Sequence, residues 1–387
     1  MNCCRTNHRR PGVHSTLGLL AMLCLVSIPA AAVAQAGHEG HDEHEDHETA
    51  GLGAGFTPTL TLHGFSDMVL RLDHTHGALA TDSTTSGFAL GQFDLYLVSR
   101  LAENLSFLGE SVFELAGNGE TAVDVERVYI RYAWSDFLHL AAGRTHTALG
   151  YWNEVFHHGG LLQPTVERPE ALKFEDDGGI LPVHSVGVEV GGKLNRGDWD
   201  VDYVGNLANG RGAVSDAVQG GGDLNRDKAI GVKLSLAHTG SLHFAIGPSF
   251  YRDVIPPDPL TPGREGEIAE RITGVHAHVS ARAVEALAEY YNVRHEDQAT
   301  AVVHRHDAWY GIVVVSTPHC KPYAGVDRLA FSPGDLFYAS GQRDLTRGTL
   351  GVRFQPSRFN AVKLEYRHDR RRGEDTDALL VQTAFTF

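Results

Sequence analysis

The sequence predicts an all-β protein, a transmembrane antiparallel β-barrel of about sixteen strands. Three observations support this prediction. Apolar and polar residues alternate from residue 57 onward, tight and long connections alternate along the chain, and segment 376–387 is an alternating strand that ends on Phe387. Successive side chains of a strand point to opposite faces, so this pattern gives each strand one apolar and one polar face. Such strands are stable when one face contacts lipid and the other contacts water.

The first 34 residues have the features of a cleaved export signal. A basic start precedes an apolar stretch at 17–28, and Ala32-Val33-Ala34 offers a cleavage site. The apolar stretch is shorter than the roughly 20 residues that a membrane-spanning helix needs. We therefore expect the chain to be exported. Removal of 1–34 would leave Cys320 as the only cysteine, which excludes an internal disulfide framework.

Residues 35–56 form a segment rich in histidine and acid, which we expect to be a disordered periplasmic arm. Four histidines recur in it at three-residue spacing, each beside Glu or Asp: His38, His41, His44 and His47. Neutral imidazole suits zinc, nickel and copper, and neighbouring carboxylates concentrate cations. The pattern leaves two interpretations open, namely binding of a divalent metal (Zn, Ni or Cu) and a polar tether that keeps the exported chain soluble.

The predicted barrel segment, 57–387, contains sixteen candidate strands. They are 58–73, 87–101, 104–116, 121–134, 136–147, 183–194, 198–208, 226–237, 240–253, 270–282, 284–295, 301–316, 319–331, 345–354, 358–370 and 376–387. An even number is expected of a bacterial single-chain barrel.

The connections between these strands alternate in length. Every second one is a tight turn, such as Asn195-Arg-Gly197, and the others are generally longer, for example 74–86, 148–182 and 371–375. Outer-membrane barrels have short periplasmic turns and longer outer loops. Because the alternation keeps its phase, we expect both ends of the barrel segment on the periplasmic side.

Charged residues collect on one face of the candidate strands. In 121–134, Val128 and Ile130 share one face, whereas Arg127 and Arg131 share the other. An arginine that faces lipid at mid-depth costs about 2–4 kcal/mol, so the charged faces are expected to line the lumen. About sixteen strands enclose an aqueous channel rather than a packed core.

The final strand, the strand number and the long third outer connection together resemble the Gram-negative outer-membrane porins, especially the sixteen-stranded general and substrate-selective ones. The layout is loosely similar to the phosphate-selective porin group, without its basic ladder. The resemblance implies that 148–182 folds into the lumen as a constriction. It also implies passive diffusion of small hydrophilic solutes or ions, contact with outer-membrane lipid, and a homotrimer.

The predicted constriction combines acids of the loop with bases of the barrel wall. The bases are Arg127 and Arg131, and the acids are Glu154, Glu167, Glu170, Glu175, Asp176 and Asp177. Opposed charges across a narrow lumen would orient polar solutes and penalise apolar ones. The alternative is a solvated outer lid whose charges meet only water.

Composition and motifs argue against other classes of function. The chain has 33 Lys and Arg against 48 Asp and Glu, which disfavours binding of nucleic acid. Neither G-x-S-x-G nor H-E-x-x-H occurs, so we expect no enzyme and no required cofactor. Two functions remain: a passive channel, and a metal-related outer-membrane protein whose histidine arm steers divalent cations to the pore.

Overall fold

The computed structural model describes residues 56–79, 81–115, 119–156, 159–217, 222, 224–338 and 344–387. Within these ranges, sixteen antiparallel strands form one closed barrel. Among the same residues, no helix is long and apolar enough to cross a bilayer. The predicted export signal and the four histidines of the predicted arm lie outside the described residues, so those assignments stay predictions.

Each strand pairs with its neighbours in chain order, and β1 pairs with β16 to close the ring. From β1 to β16 the strands are Thr59–His76, Ser83–Arg100, Leu105–Leu115, Thr121–Ser135, Leu138–His146, His184–Arg196, Trp199–Asn209, Lys228–His238, His243–Ile255, Ile268–Ala281, Val284–Asp297, Val303–Val315, Lys321–Ala330, Leu345–Ser357, Asn360–Arg371 and Glu374–Thr386. The predicted sixteen-stranded barrel is confirmed.

Two of the predicted long connections are wrong. The first outer connection is 77–82 rather than 74–86, and the last is only 372–373 rather than 371–375. The strands are longer than predicted because polar residues continue the hydrogen-bonded ladder, as where His74 pairs with Thr84. A ladder held by backbone hydrogen bonds needs no apolar alternation, so hydropathy does not mark its outer end.

The two faces of the strands are as predicted. Val128 and Ile130 point outward and are 41% and 43% exposed, as expected of side chains that would contact lipid. Lys363 and Glu365 of β15 point inward and are fully buried. The polar and charged groups of the inner face therefore need hydrogen-bonding partners inside the lumen.

The seam between β1 and β16 is completed by Phe387. Its N–H donates to the Gly64 carbonyl at 3.0 Å, and the Gly64 N–H donates to the Phe387 carbonyl at 3.0 Å. The phenyl ring lies directly over Gly64, where a Cβ atom would clash with it. The ring also stacks on Phe93, with 5.9 Å between ring centroids. Glycine at position 64 thus provides the place in which the last aromatic ring packs.

Candidate pore constriction

The connection between β5 and β6, residues 147–183, is the third and longest of the predicted outer connections, and it enters the barrel. We call it the inner loop. It includes a short helix, Trp152–Val155, and a single 3₁₀ turn, Glu170–Leu172. Glu167 contacts Arg71 of β1 and Arg367 of β15. Trp152 contacts Tyr310 of β12, so the inner loop crosses the lumen.

The start of the inner loop is anchored on Glu289 of β11. This carboxylate accepts hydrogen bonds from the backbone N–H of Tyr151 at 3.2 Å and of Trp152 at 2.7 Å. It also accepts from the hydroxyl groups of Tyr291 and Tyr310. The Trp152 side chain is fully buried and meets the Tyr310 ring edge to face, with 5.7 Å between centroids. Four donors on one buried carboxylate fix the direction in which the loop leaves the wall.

The middle of the inner loop reaches toward the short-turn end of the barrel. Lys363 donates from Nζ to the carbonyl oxygens of Gly160 at 2.5 Å and Thr165 at 2.6 Å. Lys363 lies three residues beyond Asn360, the first residue of β15, which places it roughly 10 Å from that end. The inner loop therefore extends through most of the depth of the barrel.

Two of the predicted acids form ion pairs with arginines of the wall. Glu167 lies between Arg71, at 2.9 Å, and Arg367, at 2.5 Å. Burial favours the neutral acid, but the positive charges of Arg367, Lys173 and Arg71 outweigh it and lower the pKa of Glu167 to about 2.

Glu170 is likewise paired with arginines of the wall. It bonds Arg371 at 2.7 Å and lies 3.3 Å from Arg347. Burial again opposes ionisation, and Lys173, Arg347 and Arg371 overcome it, so the pKa of Glu170 is also about 2. These two acids neutralise wall charges in direct contact and do not face bases across open water.

The other predicted acids of the inner loop lie apart from this network. Glu175 is buried and accepts a hydrogen bond from the Val183 N–H at 3.1 Å, and burial raises its pKa. Asp176 and Asp177 are exposed. Glu154 projects from the short helix and pairs with Lys233 of β8. Of the six acids, only Glu154 lines the cavity described below.

That cavity has a volume of about 280 Å³ and lies between the start of the inner loop and the wall formed by β4 to β8. Its lining includes both predicted bases. Arg127 pairs with Glu110 at 2.5 Å, and Arg131 pairs with Glu189 at 3.2 Å. The third base of the lining, Lys233, pairs with Glu154. The lining therefore carries several charged side chains, and each of its three bases lies beside a carboxylate.

The opposite half of the lumen has an apolar core, which the sequence analysis missed. Leu149, Trp152, Leu172, Ile180 and Leu181 of the inner loop pack with inward-facing residues of β9 to β14. These wall residues include Tyr251, Ile272, Val293, Tyr310, Leu329 and Leu345. A signal was present, because Ile312 to Val315 is a continuous apolar run, which is typical of a strand buried on both faces.

The predicted divalent-metal residues, His38, His41, His44 and His47, lie outside the described residues. Of the predicted site, the structure thus brings Arg127, Arg131 and Glu154 to one cavity, places Glu167 and Glu170 in wall ion pairs, and leaves Glu175, Asp176 and Asp177 away from both.

No protein-family model matches the chain. No curated protein sequence matches it either. Solved structures do. An anion-selective porin from Comamonas acidovorans has a TM-score of 0.59 at 11% identity, covering 86% of this chain and 100% of that one. The outer membrane channel DcaP of Acinetobacter baumannii has a TM-score of 0.57 at 10% identity, covering 85% and 97%. OmpF of Salmonella typhi has a TM-score of 0.54 at 13% identity, also covering 85% and 97%. At these identities the similarity establishes the fold, and this chain has the fold of the Gram-negative outer-membrane porins.

Proposed function

We propose that the protein is an outer-membrane porin, a water-filled channel for passive diffusion of small hydrophilic solutes or ions, without catalysis. The observation that supports it most directly is the polar cavity between the inner loop and β4 to β8. Its paired charges, such as Arg131 with Glu189, attract polar solutes without binding them as one strong ionic site would. An apolar solute in this cavity would displace water from the charged side chains without replacing its hydrogen bonds, which is unfavourable.

The proposal includes the location and assembly of the protein. An outward apolar surface on a closed barrel suits the outer membrane of a Gram-negative bacterium, with the short turns on the periplasmic side. A homotrimer is also proposed, and one similar structure, OmpT of Vibrio cholerae, is described as a trimer form. Chemical crosslinking of the detergent-purified protein tests the assembly. Crosslinked samples that contain only monomer would contradict the homotrimer.

Planar-bilayer recording of the purified protein tests the channel. We expect stepwise openings and a reversal potential in a salt gradient that responds to the cavity charges. In Glu154→Gln, Lys233 loses its acid partner, so the reversal potential should shift toward anions. Glu103→Gln, in the short turn after β2, is the matched control and should leave the reversal potential unchanged.

Each part of this experiment has a contrary outcome. Absence of stepwise openings from correctly folded protein would contradict the channel itself. If openings occur but Glu154→Gln behaves as Glu103→Gln does, the conducting path does not pass through the cavity.

A second candidate function is a metal-related channel in which the predicted arm collects Zn²⁺, Ni²⁺ or Cu²⁺ near the pore. The regular spacing of His38, His41, His44 and His47 favours it. Deletion of 37–48 should lower the number of metal ions bound per chain and leave the channel conductance in simple salt unchanged. Equal metal binding by the full chain and the deletion variant would reject this function.

A further inference from the structure

A buried histidine and carboxylate cluster lies at the outer end of the lumen, away from the cavity. His295 and His306 face inward from the neighbouring strands β11 and β12, and Asp335 comes from the connection between β13 and β14. Oδ2 of Asp335 lies 2.6 Å from Nδ1 of His295 and 2.7 Å from Nε2 of His306. The side chains are 1%, 0% and 3% exposed, so three potential ligand atoms meet at a point shielded from water.

A further carboxylate orients His295. Its Nε2 lies 2.9 Å from Oε1 of Glu270, and that oxygen accepts a hydrogen bond from Arg211 at 3.0 Å. When the Nε2 proton is donated to Glu270, the lone pair of Nδ1 points at Asp335. Metal-ligating histidines characteristically donate their other ring N–H to a carboxylate or carbonyl in this way, which fixes the tautomer and raises the basicity of the ligand.

His306 faces Asp335 from the other side. Its Nε2 lies 2.7 Å from Oδ2 of Asp335, and its Nδ1 accepts a hydrogen bond from the Ser332 N–H at 3.2 Å. In this arrangement the Nε2 proton is donated to Asp335. A metal ion at Nε2 would displace this proton to Nδ1, at the cost of the hydrogen bond from Ser332.

Aromatic rings fix the positions of both imidazoles. The His295 ring stacks on Tyr338, with 5.3 Å between centroids, and its edge meets Phe337 at 5.3 Å. The His306 ring contacts Tyr338 at 4.8 Å. Tightly packed rings lose little further freedom when an ion binds, which is the condition for a preorganised site.

We propose that His295, His306 and Asp335 bind one divalent transition-metal ion of the zinc type, with water in the fourth position. Two imidazoles and one carboxylate match the donors that Zn²⁺ takes when one position stays open. The bound ion would fasten the β13–β14 connection to the wall beside the inner loop, since Tyr338 also donates to the Ile180 carbonyl at 3.3 Å. This site goes beyond passive diffusion and does not depend on the predicted arm.

Zinc binding to the full-length chain in detergent tests the proposal with two readouts. Equilibrium dialysis against a competing chelator gives the number of tightly held ions, and thermal unfolding reports whether the ion binds the folded barrel. We expect one tight Zn²⁺ per chain and a higher unfolding temperature with Zn²⁺. Ions held by a disordered arm would not raise the unfolding temperature, because such an arm binds equally well when the barrel is unfolded.

Variants assign the ligands. His306→Ala and Asp335→Asn should lose the tight ion and the thermal shift. Glu270→Gln should keep the site but weaken zinc affinity about 10- to 100-fold, as loss of a histidine-orienting partner does. His243→Ala, at the short-turn end of β9 and away from the three ligands, is the matched control and should behave as the unmodified chain does.

Two results would overturn the proposal. The first is an unfolding temperature of the unmodified chain that Zn²⁺ leaves unchanged, which would mean that a proton on Nδ1 of His295 occupies the cluster. The second is a Glu270→Gln variant with unchanged zinc affinity. This variant keeps a hydrogen-bonding side chain of the same size, so it decides the question even if His306→Ala fails to fold.

Discussion

Replacement of Trp152 by alanine should loosen the inner loop without opening the barrel. The side chain is fully buried between the loop and β12, and truncation of a buried tryptophan costs about 3–5 kcal/mol. Each 1.4 kcal/mol is a tenfold change in an equilibrium constant, so docking of the loop start should weaken by roughly a hundredfold to a few thousandfold. The bonds of Lys363 to the middle of the loop remain, and we therefore expect partial rather than complete release.

Single-channel recording measures this effect as a higher mean conductance and more frequent current fluctuations in Trp152→Ala than in the unmodified chain. Trp134→Ala is the matched control, because Trp134 is 56% exposed on the outer face of β4. Both variants should still migrate as folded barrels in unheated gels. Identical conductance and current noise in the two variants would refute the reasoning that the apolar core sets the position of the inner loop.

Two further predictions concern acid and the barrel seam. The pKa values of Glu167 and Glu170 in the folded protein, about 2, lie below the ordinary value of about 4.3, so their contribution to stability is present above that value and is lost as pH falls toward 2. The unfolding temperature should fall as the pH is lowered across this window, and it should fall less steeply in the double variant Glu167→Gln/Glu170→Gln. An equal dependence of unfolding temperature on pH in the two proteins would contradict the ion-pair assignment. Gly64→Val should hinder refolding into the barrel because the added side chain clashes with Phe387, whereas Gly348→Val has open space and should refold normally, as gel mobility of unheated samples would show. Equal refolding yields would contradict the packing described at the seam.

The barrel could be predicted from the sequence because its physical requirements are local. Alternation in β16 follows from a strand with lipid on one side, and it can be read from residues 376–387 alone. The lengths of β1 and β2 could not be read in this way, because the polar residues near Ser83 continue a backbone ladder without a hydropathy signal.

The interior could be predicted only in part. The inward direction of Arg127 and Arg131 followed from strand periodicity, and the entry of the inner loop followed from its length and the resemblance. The pairing of Glu167 with Arg367 could not be predicted, since the two residues are 200 positions apart and only the closed topology brings them together. The same holds for Asp335, which reaches the adjacent histidines from a connection whose path the sequence does not specify.

The path of the inner loop also constrains the order in which the molecule can fold. The loop follows the fifth strand, yet Trp152 rests on Tyr310 and Lys363 holds Gly160, partners that come 158 and 203 residues later in the chain. Closing contacts over such separations is slow, and here it needs the later strands to be in place first. A newly inserted molecule would therefore pass through a stage in which the cylinder is closed but unfilled. At that stage it would pass more solute than the mature protein does. Rapid docking of the inner loop would therefore protect the permeability barrier of the cell.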